Sequence, residues 1–482
     1  MRKGLWKMMI AKSTCVTRQK IFSTIGFSLF SAWLLSFLFG GQVLYALAKN
    51  TEASGTLLNL VVVLCHFIGL FSSGFFIKKQ PAARMAMIIF TAACVLGSLV
   101  FFLPFSVLWY VAIAAMAFFA GLFVASWGFY FKIYTHPEQR FKTAADVLVL
   151  SNIMMIFINV LAVNVSGFIG LGMAIVFLLV SLFFTFRLKA SPDEKHMKNI
   201  YPGGLKQNIS ITSKPFILLC VFVLVITINS GFMYQVVTPS FADYGVLASY
   251  YWAIPYVIVL LILRNLSARI NRAYILYIAM IMIGLSFVSF MWLDRSAASY
   301  LIIDTLMLSA FGVCDLFWWS IIGGFFDYSE NPVQVMGLGL SMNVLGILIG
   351  GIMGNLITSF TNDHFQVSVI ALVIIFSVMI MLPVLNTQLS RLLKTHVFLV
   401  EFAAAAEVDR NDNLTDFKGA SQLTEKETEV VRLLLRGYTY KAISQNLYIS
   451  ENTMKYHIKN IYQKLNISNK MELIKMFADN GK

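Results

Sequence analysis

The chain has 482 residues, of which 59% are hydrophobic and 12% charged, and its formal net charge is +14. A soluble core cannot absorb that much apolar surface, so the composition excludes an ordinary soluble globular protein and points to a lipid bilayer. The positive balance would also suit a nucleic-acid partner, but most of it lies in short segments flanking apolar runs.

Apolar runs long enough to cross about 30 Å of hydrocarbon recur along the chain. Twelve are expected: Ile21 to Leu47, Thr56 to Ile77, Met85 to Leu103, Val107 to Phe131, Ala145 to Ser166, Ile169 to Phe186, Phe216 to Pro239, Val246 to Leu263, Ala273 to Leu293, Tyr300 to Phe326, Val335 to Phe360 and Gln366 to Leu385. The first run is much longer than the apolar core of a signal peptide and ends without a small-residue cleavage pattern, so it reads as a retained span. Basic residues accumulate on one side. They are Arg2, Lys3, Lys7, Lys12, Arg18 and Lys20, then Lys78, Lys79 and Arg84, then Lys132, Arg140 and Lys142, then the stretch from Arg187 to Lys214, and Arg264, Arg269 and Arg272. The opposite side shows little beyond Lys49 and Arg295. Because Lys and Arg are retained in the cytoplasm and the span count is even, both termini are expected there.

The expected organisation is a basic N-terminus (1–20), a six-span half (21–187), a central loop (188–214) broken at Pro202-Gly203-Gly204, a second six-span half (215–390), a linker (391–420) and a C-terminal unit (421–482). This layout resembles the major facilitator superfamily, which implies two six-helix halves around a central cavity. The family's loop between spans two and three usually reads Gly-x-x-x-Asp-Arg-x-Gly-Arg-Arg. Here Gly74 to Arg84 lacks the acid and the second glycine, which weakens the case for active transport more than the case for the fold.

Polar groups inside spans are costly and tend to face a cavity or the bundle interior. In the tenth span Asp304 and Asp315 are eleven residues apart, about 20° from alignment and ~16 Å along the axis, so both carboxylates are expected on one face. Trp318 and Trp319 follow, an aromatic wall beside Asp315 that would suit a cationic or protonatable ligand. The alternative is a protonated Asp315 hydrogen-bonded between helices. Asn152 and Asn159 share a face of the fifth span and are further ligand candidates, although interhelical hydrogen bonding explains them equally well. Gly346, Gly350 and Gly354 form a stripe that permits close helix contact. The cysteines and histidines are scattered, so neither a disulfide framework nor a metal site is expected, and no cofactor is implied. Nucleophile, base and phosphate-loop constellations are missing from the sequence, so it offers no support for catalysis.

The C-terminal unit reads as helices. Thr424 and Glu427 form a capping box before a helix that buries Val430, Val431, Leu434 and Leu435, and Gly437 ends it. Lys441 to Leu447 is a second, short helix, and Ser450 caps a third whose buried stripe is Met454, Ile458, Ile461 and Leu465. That leaves Asn452, Thr453, Lys455, Tyr456, Lys459 and Asn460 outward, a face of amides, hydroxyls and lysines suited to the major groove. A fourth helix runs from Ser468 or Asn469 to Ala478. Ten basic against six acidic side chains in 421–482 leave the unit positive.

Across Leu423 to Phe477 the pattern Leu-Thr-x-x-Glu, Gly-Tyr-Thr-Tyr-Lys-x-Ile, Ile-Ser-x-x-Thr-x-Lys-x-His and Ile-Tyr-x-Lys-Leu resembles the LuxR-type DNA-binding domain. The resemblance implies base and phosphate contacts from Lys455, Tyr456 and Lys459, phosphate contacts from Thr439, Lys441 and Thr453, a dimer seam on the fourth helix, and a bacterial source. The expected fold class is therefore all-α: a polytopic, transporter-like membrane bundle of two six-helix halves plus a four-helix LuxR-type helix-turn-helix domain. The expected function is a one-component regulator in the bacterial inner membrane, with double-stranded DNA, the lipid bilayer and an unknown small-molecule ligand as partners, and a homodimer on DNA. A secondary transporter with a regulatory DNA-binding tail is the alternative.

Overall fold

The structure is a computed structural model that describes residues 2–39, 41–49, 55–189, 213–251, 253–266, 272–361, 364–393, 423–435, 443–444, 447, 449–465, 467 and 472–473. The described residues are helical and contain no strand. Most of the central loop and of the linker lies outside them. Two compact units divide the chain, 1–400 and 401–482.

The first half of the bundle contains α1 (Arg2–Trp33), α2 (Gln42–Ala48), α3 (Gly55–Phe76), α4 (Gln80–Leu99), α5 (Val107–Tyr134), α6 (Arg140–Asn164) and α7 (Gly167–Phe186). The second contains α8 (Lys214–Phe232), α9 (Gly245–Tyr251), α10 (Ile254–Asn265), α11 (Arg272–Trp292), α12 (Ala297–Phe325), α13 (Pro332–Thr361) and α14 (His364–Leu392). Among the described residues, 11 helical segments are long and apolar enough to cross a membrane. The count departs from twelve at the expected span Val246 to Leu263, which is split into α9 and α10. Pro255 at the first turn of α10 has no N–H with which to continue a preceding helix. The 12 residues of α10 span roughly 18 Å, less than the hydrocarbon core.

The first span is also interrupted. A π-helical turn, Leu34–Leu38, precedes a break, and α2 restarts after Gly41. A Cβ on Gly41 would fall 1.8 Å from the Ser36 carbonyl oxygen, so only glycine allows the chain to fold back this closely. A second π-helical turn, Met233–Val237, ends α8.

Packing between the halves uses two seams. Helix α13 lies against α3 and α5, and α6 lies against α10 and α12. Inside the second half α8 crosses α13 closely: a Cβ on Gly350 would meet the Ile228 carbonyl oxygen at 2.1 Å, and one on Gly346 would meet Thr227 Oγ1 at the same distance. The glycine stripe expected to permit close helix contact lies in this crossing. Large apolar side chains such as Leu96, Val373, Phe376 and Ile380 face outward and are exposed. In water such a surface would aggregate, whereas in hydrocarbon it is solvated.

The second unit is described through α15 (Glu425–Leu435) and α16 (Glu451–Lys464). Val430, Val431 and Leu434 pack with Ile443, Met454, Ile458, Ile461, Leu465 and Leu473 in a separate core.

Candidate functional site

Helix α15 starts on a reciprocal cap. The Thr424 backbone N–H donates to Glu427 Oε2 at 2.8 Å, and the Glu427 N–H donates to Thr424 Oγ1 at 3.3 Å. The same Glu427 oxygen accepts from Lys464 Nζ at 2.6 Å. Burial alone would raise the Glu427 pKa, but the Lys464 ammonium and the Thr424 donors outweigh it and hold the carboxyl below its usual value. Lys464 is thus engaged inside the unit, tying the end of α16 to the start of α15. Its place in the positive charge count had not suggested this.

Ser450 caps α16, its Oγ accepting from the Thr453 N–H at 3.1 Å. Met454, Ile458, Ile461 and Leu465 are buried as expected. Asn452, Thr453, Lys455, Tyr456 and Lys459 are exposed, and Asn460 and His457 half-buried. The Thr453 hydroxyl sits 2.8 Å from Ser450 Oγ, so it is partly committed to the cap. Thr439 and Lys441 lie outside the described residues.

In the bundle the tenth-span acids occupy different environments. Asp304 is 4% exposed, and its Oδ2 has no hydrogen-bond partner among the described residues. Asp315 is half-buried, and its Oδ2 accepts from the Tyr256 hydroxyl of α10 at 2.6 Å. The two tryptophans also separate. Trp318 is buried with its Nε1 unpartnered among the described residues, while Trp319 stays partly accessible and faces the first half, its ring 6.0 Å from Phe27 and 6.3 Å from Trp127. Three residues beyond Asp315 the helix has turned 300° and four residues beyond 400°, so Trp319 is nearer in rotation to the acid. Asn152 donates to the Leu148 carbonyl within its own helix, and Asn159 is buried with neither amide atom partnered among the described residues.

Sequence reasoning had not singled out the tyrosines. Besides Tyr256, the π-helical turn presents Tyr234 within electrostatic reach of both Asp315 and Asp304. Tyr300 neighbours Asp304 one turn earlier on α12, and the Tyr251 and Thr305 hydroxyls are 2.7 Å apart. A tyrosine in a span carries a polar tip that needs a partner, and that was the signal available.

The basic face of the bundle is tied across the halves. Arg140 Nη1 donates to the Gly323 carbonyl at 2.7 Å and forms an ion pair with Asp327 Oδ1 at 2.8 Å. Lys132 Nζ donates to the Ser329 carbonyl at 2.7 Å, Asn331 Nδ2 to the Gly74 carbonyl at 3.1 Å, and Arg264 pairs with Asp146. On the opposite face the Tyr250 hydroxyl donates to Asn164.

Residues 421–477 match the family of bacterial regulatory proteins of the luxR type (GerE). Over 59 residues the chain is 41% identical to the transcriptional regulatory protein DegU of Brevibacillus brevis, and over 62 residues 40% identical to the HTH-type transcriptional regulator MalT of Vibrio campbellii. These matches take in 12% and 13% of this chain and span 25% and 7% of those relatives. The bundle is similar to the human organic anion transporter MFSD10, with 12% identity, TM-score 0.58, and coverage of 76% of this chain and 99% of that one. It is also similar to a bacterial homologue of the iron transporter ferroportin (16% identity, TM-score 0.56, 77% and 99%) and to the major facilitator superfamily proton:xylose symporter XylE (11%, 0.54, 77% and 95%). At these identities the likeness concerns the fold alone. The relatives are transcriptional regulators and transporters, and no enzyme family is indicated. The chain joins a luxR-type helix-turn-helix domain to a membrane-protein bundle of major facilitator fold.

Proposed function

We propose that this protein is a membrane-bound, one-component transcriptional regulator: the transporter-like body (21–390) senses a ligand, and the C-terminal unit (421–482) binds promoter DNA as a homodimer. The observation that carries the reading is a luxR-type unit on the same chain as a major facilitator bundle, with the α16 face of Asn452, Thr453, Lys455, Tyr456 and Lys459 free of the core. The asymmetry of basic residues supports cytoplasmic termini and residence in the bacterial inner membrane, a topology in which the unit would share a compartment with DNA. Lys455, Tyr456 and Lys459, with Thr439 and Lys441, would take phosphates and base edges.

Genome-wide DNA crosslinking and immunoprecipitation of the full-length protein tests this. A few sharp sites are expected, with occupancy falling on the order of tenfold in Lys455→Ala. No enrichment with the intact protein, alongside proton-coupled uptake into vesicles, would replace this reading with a transporter bearing a regulatory tail.

A further inference from the structure

Helix α12 is enclosed by protein over residues 310–323, and within that stretch only Asp315 and Trp319 retain accessible surface. They sit one helical turn apart, and Trp319 reaches the rings of Phe27 and Trp127 in the other half. Trp319 therefore lies at the contact between the halves, and the surface left to it and to Asp315 is beside that contact on an otherwise buried stretch of α12. Tyr234, 45% exposed, is within electrostatic reach of Asp315.

Asp315 accepts one hydrogen bond, from Tyr256 on Oδ2, and Oδ1 faces no donor among the described residues. Elsewhere on the helix, Asp304 is more than nine-tenths buried with Oδ2 unpartnered among the described residues, and Tyr234 is within electrostatic reach of both acids. No described cation approaches either carboxylate. Three charged groups of the basic face are engaged at that end of the bundle: Arg140 with Asp327, Lys132 with the Ser329 carbonyl and Arg264 with Asp146. An anionic ligand would meet two acids and no counter-charge. A metal ion would find no group of three His, Cys, Asp or Glu side chains among the described residues. Aromatic faces beside a lone carboxylate instead match an ammonium group carried on an apolar frame.

We propose that the opening between the two halves binds a protonated organic amine, with Asp315 as its counterion and Tyr234 and Trp319 as its aromatic walls. Tyr256 positions the Asp315 carboxylate through its hydroxyl. This site deepens the sensor reading and rests on it for its regulatory meaning.

The test uses the purified full chain in lipid nanodiscs, with phenethylammonium and tetraphenylphosphonium as cationic probes and 2-phenylethanol as a neutral analogue. Tryptophan fluorescence reports binding, and thermal melting checks each variant's fold. Saturable binding of the cations and not of the alcohol is expected. Affinity should fall on the order of tenfold to a hundredfold in Asp315→Asn, with recovery in Asp315→Glu. Equal binding of alcohol and cations, no saturable binding of either cation, or unchanged affinity in a well-folded Asp315→Asn protein would overturn the proposal. DNA occupancy is measured in parallel. Cation binding that leaves occupancy unchanged supports the site and removes the sensor reading, whereas a regulator that responds to other ligands without cation binding removes only the site.

Discussion

Glu427 does three things with one carboxylate. It accepts from the first N–H of the helix cap, answers the Thr424 hydroxyl, and neutralises Lys464 at the far end of α16. Glu427→Gln keeps an acceptor for the cap and loses the charge facing Lys464, a charge-assisted bond whose removal costs about 1.5–3 kcal/mol. Hydrogen exchange of residues 425–435 in the intact protein should therefore quicken at neutral pH. Unchanged protection would show the pair to be dispensable. The pH dependence has a definite sign. Because the folded pKa is depressed, the contribution is complete above the ordinary value of 4.5 and fades as pH falls through the folded value. Lys464 and Lys455 should separate in a salt titration of DNA binding. Lys455→Ala lowers the salt slope by about one, while Lys464→Gln destabilises the unit and leaves the slope alone.

At the scale of elements, glycines distinguish a tight crossing from an open surface. Gly350 faces the Ile228 carbonyl across the α8–α13 contact, whereas a Cβ on Gly172 would have nothing within 4 Å. Gly350→Val should cost about 1–3 kcal/mol or more by overpacking, read as a lower melting temperature of the detergent-solubilised chain. Gly172→Val should melt like the parent. Equal melting of both variants would mean that the crossing adjusts freely. The sequence made such elements legible where period and composition act over many residues. The spans, the α15 cap, the α16 stripe and the glycine stripe were all readable from local pattern. What local pattern could not supply was breakage and partnership. The split at Pro255, the π-helical turn presenting Tyr234, the Tyr256 bond to Asp315 and the burial of Trp318 depend on which helices meet, and a single span's periodicity carries no record of its neighbours.

For the membrane body as a whole, the decisive feature is that charged and amide side chains join its halves at the basic face. Arg140 and Asp327 are both buried, and their contact links α6 to the turn between α12 and α13. Removing one member of such a pair leaves an uncompensated charge in a low-dielectric setting, at a cost of about 3–5 kcal/mol, whereas neutralising both forfeits much less. Arg140→Gln should therefore destabilise the body more than the Arg140→Gln, Asp327→Asn double variant, as read by thermal melting in detergent. Arg140 also donates to the Gly323 carbonyl, one turn beyond Trp319 toward the basic side. In a background without other cysteines, Trp319→Cys should react slowly with a membrane-impermeant maleimide applied from that side. Adding Arg140→Gln should make the reaction several-fold faster, since population of a state open to that face no longer requires breaking the pair. If melting changes and labelling does not, the ion pair holds the halves together without governing which face is open. If labelling changes as well, the contact between α6 and the α12–α13 turn is the element through which occupancy of the opening between the halves can be converted into a movement at the basic face of the body.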